Sequence, residues 1–81
     1  MAKYDPLGDW LRSEAHDSEV TLDFEEIERL IGDGLPMSAH RHQAWWANSG
    51  ARHVHAEAWL SAGWLVDAVD QRARRVRFRR G

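Results

Sequence analysis

The side chains with chemical capacity crowd into two places, the stretch Leu35-Pro36-Met37-Ser38-Ala39-His40-Arg41-His42-Gln43-Ala44-Trp45-Trp46-Ala47-Asn48 and the arginine-rich tail from Arg72 to Arg80. Ser38 is a good N-cap, and a helix opening there presents His40, Arg41 and Gln43 from its first turns. Free N–H groups at a helix start, joined by arginine, suit phosphate. Gln43 and Asn48 suit base edges, and Trp46 suits stacking. Ser49 and Arg52 follow in a polar turn, and His53 and His55 open the next helical segment. Arg75, Arg77 and Arg79 alternate with Val76 and Phe78, so on a strand they share one face, spaced roughly 7 Å apart and near the phosphate spacing of one DNA strand. These thirteen side chains make a coherent nucleic-acid contact set: Arg41 and Arg52 on phosphates or guanines, Gln43 and Asn48 on base edges, and the strand arginines adding sequence-independent affinity. The competing reading is structural. In it Ser38 only caps, Trp45 or Trp46 fills the core, Arg41 is solvated, and the arginine row guards an edge strand or pairs with the acidic first half.

Other chemistries fit poorly. His40 and His42 form one H-x-H pair and His53 and His55 another. Converging imidazoles bind zinc, but residues two apart on a helix point about 200° apart. There is no cysteine and there are few well-placed carboxylates to complete such a site. Neither a metal nor another cofactor is expected, and the histidines are read as surface groups or anion contacts that would make binding pH-dependent. A Gly-rich phosphate loop and a nucleophile elbow are both missing, and His55 with Glu57 is no nuclease motif, so no catalytic residue is assigned and a non-enzymatic role is expected.

The chain has 81 residues, enough for one domain, residues 1–81. A core this small is marginal, and without cysteine no disulfide can reinforce it. The five tryptophans are the compensation, at least three of them in the core. The net charge of -2 hides an asymmetry. Residues 1–37 carry three basic and ten acidic side chains, whereas residues 38–81 carry eight arginines and three acids. The modest total argues against a bulk nucleic-acid coater. No apolar run reaches the roughly 20 residues of a membrane span, and the N-terminus lacks the apolar segment of a secretory signal, so a cytoplasmic protein without a membrane partner is expected.

Several elements must position these groups. Asp5-Pro6 reads as the start of a helix carrying Leu7, Trp10 and Leu11 and ending between Arg12 and Ala15. Val20-Thr21-Leu22 is a short β-prone run. Asp23 and Glu26 form a capping box for a second helix with Phe24, Ile27, Leu30 and Ile31 on one stripe, stopped at Gly32-Asp33-Gly34. A third helix is expected from Ala39 to about Trp46 and a fourth from about His53 to Ala62, with Gly63 as its stop. The runs 64–69 and 75–79 then form an antiparallel hairpin across the turn Asp70–Ala73. The class is α+β, helices followed by a C-terminal antiparallel β-hairpin, winged-helix-like with one helix too many. Trp10, Phe24, Ile27, Leu30, Trp59, Leu65, Val76 and Phe78 are the expected core.

The run from Tyr4-Asp5-Pro6-Leu7 through Leu35-Pro36-Met37-Ser38-Ala39, Trp45-Trp46-Ala47-Asn48, Trp59-Leu60-Ser61-Ala62-Gly63-Trp64 and Val76-Arg77-Phe78-Arg79 resembles a family of small bacterial domains of unknown function. That resemblance implies a bacterial domain, found alone or appended to larger proteins, some of them nuclease-like. It brings no activity, substrate or catalytic residue. Residues and resemblance together point to a non-enzymatic module binding nucleic acid, duplex DNA favoured, with a homodimer plausible because one small module buries little DNA surface. The alternatives are a protein partner docking on an exposed Trp/Arg surface, or a nuclease-associated or metal-dependent enzyme.

Overall fold

The computed structural model describes residues 2–49 and 54–81, so the expected contacts of Arg52 and His53 lie outside the described residues. Helix α1 spans Asp5–Ser13 and carries Pro6 in its first turn. Its N-cap is Tyr4, not Asp5, because the Asp5 carboxylate turns back to accept from the Ala2 amide at 2.9 Å. Leu7, Gly8 and Leu11 form its buried face. Gly8 is there for space. A β-carbon at this position would lie 2.2 Å from the backbone oxygen of Ala58. Alanine normally strengthens a helix interior by about 1 kcal/mol over glycine, but here the steric cost wins. Gly8→Ala should destabilise by about 1–3 kcal/mol, while Asp9→Ala, at an exposed position next door, should stay close to wild type. Paired urea melts check this, and a stabilised Gly8→Ala protein would contradict the close approach of α1 to its neighbour.

Strand β1 (Glu19–Asp23) runs directly into α2 (Phe24–Ile31). The capping box forms as its spacing predicts. The Glu26 amide donates to Asp23 Oδ1 at 2.7 Å, and the Asp23 amide donates to Glu26 Oε1 at 3.2 Å. Gly32 ends α2 in the left-handed region, at φ 71°. Glu28 then accepts from the Leu35 amide at 2.7 Å, which brings the connecting loop back against the helix and buries Leu35.

The single third helix expected over Ala39–Trp46 is two pieces. Helix α3 covers Met37–Arg41, His42 is extended, and a 3₁₀ turn covers Gln43–Trp46. Ser38 is therefore not an N-cap. Pro36 occupies that position, and no side chain caps the helix. The break has a physical reason in the carbonyl of Ala39. In a continuous helix it would accept from the Gln43 backbone N–H; here it accepts from the Trp46 indole N–H at 2.9 Å and the Gln71 side-chain Nε2 at 3.0 Å. Another 3₁₀ turn, Val54–Ala56, leads into the short helix α4, Glu57–Leu60, and Gly63 at φ 84° provides the expected stop.

Strands β2 (Trp64–Asp70) and β3 (Arg75–Arg80) form the expected hairpin. The sheet has a third member, however. Its order is β1-β3-β2, all antiparallel, with Val20 opposite Phe78 and Leu22 opposite Val76. The arginine strand is thus central and not a guarded edge, and β1 joins the β2–β3 hairpin in a three-stranded sheet. The class stands as α+β and winged-helix-like, helices followed by the C-terminal hairpin.

Between the sheet and the helices runs a row of rings. Phe24 stacks on Trp46 at 5.3 Å, Trp46 on Trp59 at 6.0 Å, and Trp59 meets Phe78 edge-on at 5.8 Å. Trp46, Trp59 and Trp64 are the three buried tryptophans. Of the expected core, Phe24, Ile27, Trp59, Val76 and Phe78 are buried, whereas Trp10, Leu30 and Leu65 are only half-buried. Arg80 lies over the Trp64 ring at 4.8 Å and donates to the Ala15 carbonyl at 2.7 Å, tying the end of β3 to the loop after α1.

Candidate nucleic-acid interface

Around the β2–β3 turn lie several polar groups that make no ion pair among the described residues. The turn between β2 and β3 is pinned twice. The Gln71 side chain donates to Ala39 in α3, and the Arg74 carbonyl accepts from the Phe24 amide at the start of α2, at 2.8 Å. The first bond puts the turn against α3 and the second puts Arg74 against α2; Arg72 and Arg74 are exposed, as are Arg41 at the end of α3 and His42 and Gln43 after it. Among the described residues Arg41, Arg72, Arg74 and Arg75 make no ion pair. Their surroundings differ. Arg74 lines a shallow groove with Glu25 and Glu28, and Arg75 sits between Asp23 and Asp70 in the sheet register. Arg41 and Arg72 are left as the least compensated cations. Arg72, Arg74 and the tether Gln71 were not among the expected contacts. Arg72 and Arg74 carried the signal of the arginine-rich tail and Gln71 that of the hairpin turn, and the link from Gln71 to Ala39 crosses 32 residues.

The other expected contacts scatter. Ser38 is exposed, with its carbonyl accepting from the His42 amide. His40 is half-buried, edge-on to Phe24 at 5.1 Å. Trp46 is core and offers no face to a base, a correction that follows from its ring stack and its bond to Ala39. Asn48 has its carboxamide committed. It donates to the Val66 carbonyl at 2.9 Å and accepts from the Val66 amide at 2.8 Å and the Trp59 indole at 2.9 Å. Ser49 is half-buried in the same turn. His55 stacks on Trp45 at 3.8 Å and 8°, with Tyr4 edge-on to both rings. Arg77 and Arg79 both reach Asp67, at 2.7 and 3.3 Å. Asp67 can serve both because the register slips between Val66 and Ala68 and lets it bulge over β3.

Lys3 and Asp33 form a surface ion pair at 3.1 Å that shifts the titration of both. Hydrogen bonding to Asp33 raises the Lys3 ammonium above its ordinary value, and hydrogen bonds from Lys3 and then from the Gly34 amide lower the Asp33 carboxyl. Both side chains are exposed, so the pair has little weight in stability. Among the described residues no group of three or more His, Cys, Asp or Glu side chains is placed to hold a metal ion, and no helix is long and apolar enough to cross a membrane.

The sheet of this order, the double tryptophan and the hairpin lie within one stretch of chain, residues 4–81, and that whole stretch matches the family described as Domain of unknown function (DUF7662). The chain belongs to this family. Neither a curated protein nor a solved structure matches it. Membership in the family assigns no role to a residue, so any function must be argued from the arrangement of side chains.

Proposed function

We propose that the domain is a non-enzymatic nucleic-acid-binding module of the bacterial cytoplasm, meeting duplex DNA with the end formed by α3 and the β2–β3 turn. The observation that carries this reading is the Gln71–Ala39 tether, which joins the turn carrying Arg72 to the helix carrying Arg41, both exposed and with no acid paired to either among the described residues. His42 and Gln43 extend the same surface. The five residues of α3 span roughly 7–8 Å, too short to lie along a major groove. Contact is therefore mostly to phosphates, with weak sequence preference, and Gln43 is the one base-edge candidate. The strand arginines are left out of the proposed interface because Asp67 pairs with Arg77 and Arg79, and Arg75 lies between Asp23 and Asp70 in the sheet register.

Fluorescence anisotropy with a duplex of about two helical turns tests this at low and physiological salt. Arg41→Ala and Arg72→Ala should each weaken binding across all sequences and flatten the log–log salt slope by about one. Arg77→Ala should bind like wild type. Absence of binding at low salt, or equal losses from all three variants, sinks the reading. A two-fold dimer on DNA would show as doubled mass in light scattering of the complex. The protein-partner reading has one observation in its favour: Met37 and Val54 are 62% and 79% exposed. An apolar interface of that kind would hold its affinity as salt rises.

A further inference from the structure

The two edges of the sheet are treated differently. On the β2 side the Asn48 carboxamide bonds to both the N–H and the C=O of Val66, occupying the place of a neighbouring strand. On the β1 side nothing takes that place. Ser18 accepts from Arg80 and Phe24 donates to Arg74, which fixes the parity of the ladder: residues 18, 20, 22 and 24 aim their main-chain groups at β3. Glu19 and Thr21 therefore aim theirs outward, and among the described residues neither has a hydrogen-bond partner on that side. Beside this edge, on the core face, lies an open groove of about 220 Å³ lined by Trp10, Leu22, Leu30, Glu26 and Arg29. On the opposite face the edge shows Glu19 and Asp23.

We propose that β1 is a docking edge for an extended segment of a partner protein in which basic and apolar residues alternate. Such a segment would add a fourth strand, with main-chain bonds to Glu19 and Thr21. Its apolar side chains would fall beside Leu22 into the Trp10–Leu30 groove, and its basic ones beside Glu19 and Asp23. The fold already contains this complementarity, since on its inner side β1 is read by Arg75-Val76-Arg77-Phe78-Arg79, with Arg79 opposite Glu19 and Arg75 opposite Asp23. A second copy is disfavoured by the same charges. Antiparallel pairing of two β1 strands about Thr21 sets Glu19 of each directly against Asp23 of the other, and like charges in that position repel.

The probe is a fluorescent seven-residue peptide alternating Lys with Val, titrated against the intact chain. Thr21→Pro is the diagnostic variant. It removes an outward N–H and leaves the β1–β3 ladder intact, since proline is tolerated where an edge strand faces solvent. Binding of the basic peptide should fall at least tenfold in Thr21→Pro and several-fold in Glu19→Lys, and a Glu/Val peptide should not bind. Amide shifts in the wild-type protein should concentrate on Glu19 and Thr21, a readout that holds even if Thr21→Pro fails to fold. The proposal is overturned if the acidic peptide binds as well, if the amide shifts fall elsewhere, or if the chain self-associates in sedimentation and Thr21→Pro abolishes that association. None of these readouts involves DNA, so this edge and the α3 surface stand or fall separately.

Discussion

Trp59→Ala should melt far below the wild-type protein. Trp59 is fully buried, stacked on Trp46, edge-on to Phe78, and its indole N–H is donated to Asn48. Truncating a buried tryptophan costs about 3–5 kcal/mol. A domain of this length has about 4–12 kcal/mol of total stability, so the loss takes most of it at the lower end. Trp59→Phe keeps a ring in the row and loses the hydrogen bond, and should cost about 1–2 kcal/mol. Near-UV circular dichroism and urea melts of both variants decide the matter. A Trp59→Ala protein with a wild-type midpoint would show that the ring row is not what holds the helices to the sheet.

Asn48→Ala comes next in size, at about 3 kcal/mol, although Asn48 is an exposed residue. It strands the buried Trp59 indole N–H, at about 1–3 kcal/mol, and removes two further bonds at the sheet edge. Asn48→Asp separates the parts. It keeps an acceptor for Trp59 and the Val66 amide but sets a carboxylate against the Val66 carbonyl, so it should fall between wild type and alanine. Because Asn48 and Trp59 share a bond, Asn48→Ala in a Trp59→Phe background should cost less than it does alone. Strict additivity in that double-mutant cycle would deny the Asn48–Trp59 bond any energetic role.

What the sequence made legible was local. The Asp23–Glu26 capping box and the Gly32 and Gly63 stops depend on neighbours a few residues away, and all three appear where spacing predicts. The alternation of Val76 and Phe78 with arginines also reads directly as a strand. Its neighbours do not, because Glu19 and Arg79 lie 60 residues apart and no local pattern says that β1 will pair there. The same limit explains the candidate site. Asn48 and Arg77 look like nucleic-acid contacts until the fold brings Val66 to one and Asp67 to the other. The double tryptophan read as helix because helical periodicity cannot register that Trp46 takes the Ala39 carbonyl and so breaks the turn at His42.

The central place of β3 governs how this chain can acquire its structure during synthesis. Both partners of β3 precede it, and the contacts of Arg80 reach back 65 residues to Ala15. While a ribosome is still delivering the segment after Asp70, β1 and β2 have no strand between them, and the faces that Val76 and Phe78 will cover stay open to water. Non-local pairing of this kind is slow because a long loop must close before any contact rewards it. The nascent chain consequently holds an acidic amphipathic segment and a tryptophan-rich one with no sheet to join them until β3 arrives and both ladders close together.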